Sequence, residues 1–118
     1  MVAEDNPDNL SLIVRLLARL GYEADTASDG ESALNMARDG RVHRLILMDC
    51  HMPRMDGYEA ARRLRRMGLV IPIIALTANV IDGEREHCQA AGMNDFLGKP
   101  ITLDTLRTVL DTWIKAGP

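Results

Sequence analysis

Short apolar runs and helical repeats alternate along this chain at nearly even spacing, and four of the runs lead directly into polar residues. Met1 to Ala3 precedes the acidic pair that ends in Asp5, Leu45 to Met48 precedes Asp49, Ile73 to Leu76 precedes Thr77, and Phe96 to Gly98 precedes Lys99. Alternation of this kind predicts βα units and a parallel sheet. Parallel strands all point one way, so the four polar side chains gather at one edge, where open α/β sheets place their sites. Two acids, a hydroxyl and an ammonium suit a divalent cation together with a phosphoryl group.

The helical segments carry their own punctuation. The first opens with Asn6 as cap and Pro7 in the first turn and is expected to bury Leu10, Ile13, Val14 and Leu17 before Gly21. Leu12 and Leu16 fall off that stripe and are read as part of a docking surface. Ser28 and Glu31 have capping-box spacing ahead of Ala33, Leu34 and Ala37, with Gly40 as the stop. Asp56 and Glu59 repeat the device ahead of Ala60, Ala61 and Leu64, ending at Gly68. A fourth helix spans about Asp82 to Ala91, and the last shows Leu106, Val109, Leu110 and Trp113 at i, i+3, i+4 and i+7. The strands are Glu23 to Ala27, Leu45 to Met48, Ile73 to Leu76, about Asp95 to Gly98, and the opening run. That run is short for a central strand, so the first strand is expected to be truncated within a single domain covering residues 1–118.

With 118 residues the chain forms one domain with a substantial core. Aromatic residues make up only 3% of it, so that core is aliphatic. Seventeen acids against 14 bases argue against direct nucleic-acid binding, and the Arg62, Arg63, Arg65 and Arg66 cluster reads as a solvated helix face paired with Glu59. Two cysteines are too few for a disulfide framework; Cys50 reads as a small buried filler, and a reducing, cytoplasmic setting fits. His43 and His87 read as surface residues. No apolar stretch approaches a membrane span, so no membrane contact is expected.

The segments VAEDNP, LILMD followed by CHMPRMDG, ALTAN and FLGKP, in that order and spacing over the full chain, resemble the receiver domain of two-component response regulators, most of all the receivers of hybrid sensor histidine kinases. The resemblance implies a flavodoxin-like, doubly wound five-stranded parallel sheet of order 2-1-3-4-5 with five helices on two faces. It also implies roles. Asp49 is the phosphoacceptor; Asp5, Asp49 and the His51 backbone carbonyl bind Mg²⁺, with Glu4 acting mainly through water. Lys99 pairs with the phosphoryl group, Thr77 and Phe96 form the switch, His51 and Asn79 tune the lifetime of the phosphate, and Lys99 to Pro100 is a cis peptide.

The implied donor is a histidine kinase or a histidine phosphotransfer domain, and the readout surface is the fourth helix, fifth strand and fifth helix, which also offers a route to a homodimer. Catalysis is limited to self-phosphorylation and slow loss of the phosphate. Two other readings compete: a pseudo-receiver that binds partners without phosphorylation, and a magnesium phosphohydrolase. The first is opposed by the presence of every residue the chemistry needs. The second lacks an insertion long enough to form a substrate pocket.

Overall fold

The computed structural model describes residues 1–40, 42–78 and 83–114. Within them the chain runs β1 (Val2–Ala3), α1 (Pro7–Arg19), β2 (Thr26–Ala27), α2 (Gly30–Arg38), β3 (Ile46–Asp49), α3 (Gly57–Arg66), β4 (Ile73–Thr77), α4 (Glu84–Ala90), β5 (Asp95–Gly98) and α5 (Leu103–Trp113). The strands form one parallel sheet in the order β2-β1-β3-β4-β5, as the sequence reading expects. Every residue of β3 and β4 is buried, which is why both read as unbroken apolar runs.

The pleat sends successive side chains to opposite faces, so the sheet separates two cores. Val2, Leu47, Ile74, Leu76 and Leu97 pack with Ile13, Leu16 and Leu17 of α1 and Leu106, Val109 and Leu110 of α5. Ala3, Ile46, Met48, Ile73 and Ala75 pack with Ala33 and Leu34 of α2, Ala60, Ala61 and Leu64 of α3, and Cys88 of α4. The indole nitrogen of Trp113 donates to Asp95 Oδ2 over 2.9 Å, tying the end of α5 to the start of β5.

Several details depart from the sequence reading. The core face of α1 is turned so that Leu16 is buried and Val14 is only half-buried; of the two leucines assigned to a docking surface, Leu12 alone is exposed, at 41%. The cap of α2 is Asp29, which accepts from the Ser32 amide over 2.7 Å, and not Ser28. β2 pairs with β1 only through Thr26 and Ala27, shorter than the Glu23 to Ala27 run suggests. Arg65 leaves the solvated face: its guanidinium donates to the carbonyls of Gly92, Leu69 and Ile71 and to Asn94 Oδ1, joining α3 to the chain before β4 and β5. His43 is not a surface residue, since its side chain is 9% exposed and lies 3.8 Å from the Asp25 carboxylate. α4 begins at Glu84 after Gly83; the expected start at about Asp82 lies outside the described residues.

Candidate functional site

Asp49 closes β3, Thr77 closes β4, and Lys99 follows β5; Asp49 is level with Leu76, and Thr77 with Gly98. Glu4 and Asp5 follow β1 at the same edge. The alternation of apolar run and polar terminus therefore becomes one constellation. Thr77, Glu4 and Asp49 are 0%, 1% and 3% exposed, while Asp5 faces solvent.

Lys99 reaches back across the edge. Its amide donates to the Thr77 carbonyl over 2.8 Å, and its Nζ stands 2.9 Å from Glu4 Oε1 and 3.2 Å from Asp49 Oδ1. The following Lys99–Pro100 peptide is cis, as expected. Asp49 Oδ1 also accepts from the His51 amide, and Glu4 Oε2 accepts from the Asn6 amide, each over 3.2 Å. Glu4 Oε1 is buried, and the Lys99 ammonium is the cation that meets it among the described residues.

One ammonium cannot balance two buried carboxylates with a third at the solvent rim. Desolvation, and then hydrogen bonding with Glu4, push the Asp49 carboxyl up to about 7. Burial opposes ionisation of Glu4 as well, but hydrogen bonds with Asp49 and Lys99 outweigh it and hold Glu4 below the usual carboxylate range. Lys99 is likewise raised, the two carboxylates overcoming its own desolvation. The pair of acids thus shares a proton near neutral pH unless further positive charge arrives.

Glu4, Asp5 and Asp49 each present a carboxylate oxygen, all within 4.8 Å of one another. An all-oxygen donor set with an exposed member suits a hard cation that keeps waters. Beside Lys99 and Glu4 lies a cavity of about 300 Å³ walled by Asn9, Leu12, Ile13, Pro100 and Ile101.

The rest of the expected residues fall around this centre. His51 is exposed and meets the Tyr58 ring edge-on at 6.3 Å. Phe96, on β5 level with Ala75, is half-buried with the Arg85 guanidinium 5.3 Å from its ring. Asn79 lies outside the described residues.

One buried group escaped the sequence reading. Glu84, 9% exposed, accepts from the Tyr58 hydroxyl and lies beside the thiols of Cys50 and Cys88. The Tyr58 ring also stacks on His87 at 3.8 Å. Burial, above all, pushes the Cys50 thiol up to about 12 and the Cys88 thiol up to about 11, and it raises the Tyr58 hydroxyl as well. The available signal was the Glu84 to Cys88 spacing of four, which puts an acid on the buried face of a short helix.

The chain matches the family model of the response regulator receiver domain over residues 1–111. It is 40% identical over 110 residues to the sensor histidine kinase RcsC of Escherichia coli, covering 93% of this chain and 12% of that protein. Among solved structures, the receiver domain of sensor histidine kinase PA1611 from Pseudomonas aeruginosa, with a magnesium ion coordinated in its active-site cleft, superimposes with a TM-score of 0.87 at 44% identity, covering 97% of this chain and 94% of that one. The receiver domain of Saccharomyces cerevisiae Ssk1, solved with the histidine phosphotransfer protein Ypd1, gives a TM-score of 0.88 at 28% identity over 95% of this chain and 85% of that one.

Proposed function

The chain belongs to the response regulator receiver family, and from that premise we propose that it accepts a phosphoryl group from a phosphohistidine onto Asp49 and passes the signal on through a conformational switch. The observation that carries this reading is the convergence of buried Asp49 and Glu4 on the Lys99 ammonium at 3.2 and 2.9 Å, with the hydroxyl-bearing end of β4 alongside.

In the reaction, a carboxylate oxygen of Asp49 attacks phosphorus as the bond to the donor's imidazole nitrogen breaks; the imidazole leaves, and an acyl phosphate remains. Asp49 must be ionised to attack, which its proton sharing with Glu4 opposes. Asp5, Asp49 and the His51 carbonyl would hold Mg²⁺, with Glu4 reached through water. When bound, this ion supplies positive charge that favours the ionised carboxylates and balances the incoming phosphoryl oxygens. Lys99 exchanges a carboxylate partner for a phosphoryl oxygen, acting as a point charge. Thr77 donates its hydroxyl to another phosphoryl oxygen, drawing the end of β4 toward the site and freeing Phe96 to turn inward. A phosphate biases this equilibrium only through contacts it makes in one state and not the other. His51 and Asn79 set the lifetime of the phosphate, and slow hydrolysis of the acyl phosphate is the only turnover.

The partner is a histidine kinase or a histidine phosphotransfer domain. Exposed Leu12 and the cavity beside Lys99 offer its helix an apolar seat next to Asp49. The α4, β5 and α5 surface carries the output and provides a homodimer contact. The setting is cytoplasmic; no helix among the described residues is long and apolar enough to cross a membrane. The chain spans 12% of the length of RcsC.

Incubation with Mg²⁺ and acetyl phosphate, followed by intact-mass measurement, tests the proposal. A phosphate adduct is expected in the parent chain and not in Asp49→Asn. A parent chain that stays unmodified would instead support a binding module that works without phosphorylation.

A further inference from the structure

Behind the phosphoacceptor edge, on the α2, α3 and α4 side of the sheet, Cys50, Glu84 and Cys88 meet at 0%, 9% and 2% exposure. Cys50 Sγ lies 4.0 Å and Cys88 Sγ 3.8 Å from the same oxygen, Glu84 Oε1. The three potential ligand atoms are all within 4.8 Å of one another. The Tyr58 hydroxyl donates to that oxygen from the other side. Phosphoryl transfer uses none of these groups.

A carboxylate at 9% exposure, met among the described residues by a phenol and two thiols, is incompletely compensated for the water it has lost. A divalent cation would compensate it fully. Two sulfurs and one carboxylate oxygen form a donor set for a thiophilic ion of the zinc class; magnesium and calcium select oxygen alone. Tetrahedral zinc, with Zn–S of about 2.3 Å and Zn–O of about 2.0 Å, sets sulfur and oxygen ligands about 3.5 Å apart. The observed 3.8 and 4.0 Å require each thiol to close by only a few tenths of an ångström. Placement favours the site too: Glu84 and Cys88 stand one helical turn apart on one face of α4, as paired ligands of helical zinc sites do. Cys50 comes from the residue after β3.

We propose that Cys50, Glu84 and Cys88 form a binding site for a thiophilic divalent cation, with Zn²⁺ as the type and the fourth coordination position left to water. On binding, each thiol releases its proton to solvent, and the ion is held by two thiolates and a carboxylate. Because Cys50 adjoins Asp49 in the chain, the bound ion would tie the first turn of α4 to the phosphoacceptor end of β3.

Co²⁺ titrated into the reduced full chain, in the presence of excess Mg²⁺ to occupy the carboxylate cluster, tests the site. The expected result is one equivalent bound with a sulfur-to-cobalt charge-transfer band, bleached by Zn²⁺ and retained in Asp49→Asn. The band should disappear in Cys88→Ala and Cys50→Ala, and affinity should fall at least about tenfold in Glu84→Gln, with circular dichroism confirming that each variant is folded. The parent spectrum is decisive even where a variant fails to fold: absence of the charge-transfer band there overturns the proposal. A band that survives in folded Cys88→Ala overturns it as well.

Discussion

A Cβ on Gly57 would lie 2.1 Å from the carbonyl oxygen of Asp49 and 2.8 Å from its carbonyl carbon. The start of α3 is thus pressed against the backbone of the phosphoacceptor, and the Gly57 amide donates to the Cys50 carbonyl over 3.0 Å. Only hydrogen on Gly57 permits that approach.

Gly57→Ala should therefore cost about 3 kcal/mol, the upper end for overpacking, because rigid backbone rather than a flexible side chain must give way. Urea unfolding will show it as a lowered midpoint. Ala60→Gly, one turn along the same helix, should cost about 1.5 kcal/mol, about 0.5–1 from helix propensity and about 0.8 from its buried methyl.

Metal-free stability should depend on pH through Asp49. Its carboxyl is raised from 3.8 to about 7, so across that window the native state keeps a proton that the unfolded chain has released. The Asp49 contribution to stability is then greatest below the ordinary value, falls as pH rises, and levels off above about 7, while the lowered carboxyl of Glu4 acts in the opposite sense at acid pH. Asn carries no proton to lose, so Asp49→Asn should be more stable than the parent at pH 8 by on the order of 2 kcal/mol, with the gap closing toward pH 4. Paired urea titrations in chelator check the sign and the window.

Magnesium should reverse that penalty. At tenfold above its dissociation constant, a ligand of the native state adds about 1.4 kcal/mol, or about 5 °C in Tm for a domain of this size. Asp5→Asn removes an exposed carboxylate from the cluster and should abolish most of the shift while leaving the metal-free Tm nearly unchanged.

Arg65→Met should destabilise by about 2–4 kcal/mol, since the carbonyls of Leu69, Ile71 and Gly92 lose a charged donor. Arg65→Lys should recover little, because a single ammonium cannot reproduce the fork that reaches all three carbonyls and Asn94.

Where residues act through chain order, the sequence could be read directly. β3 and β4 are buried on both faces, so their runs carry no polar interruption until Asp49 and Thr77. Parallel order then brings those termini together without knowledge of any side-chain contact. Where residues act through a partner far along the chain, it could not. Arg65 sits among three other arginines, and only its meeting with Gly92 and Asn94, 27 and 29 residues away, separates it from them. Leu12 and Leu16 both fall off the apolar stripe read for α1, and the way α1 rests against α5 decides that Leu16 is buried and Leu12 is not. Glu84 is the clearest case: its burial depends on Tyr58, 26 residues earlier, supplying a donor.

Borohydride reduction of the chain after treatment with Mg²⁺ and acetyl phosphate tests the central claim most directly, because it converts an aspartyl phosphate to homoserine and so marks the phosphorylated residue in a peptide map. The account predicts homoserine at position 49, and none in Asp49→Asn or without Mg²⁺. Homoserine at Asp5 or at another acid, or none anywhere after full treatment, would contradict it.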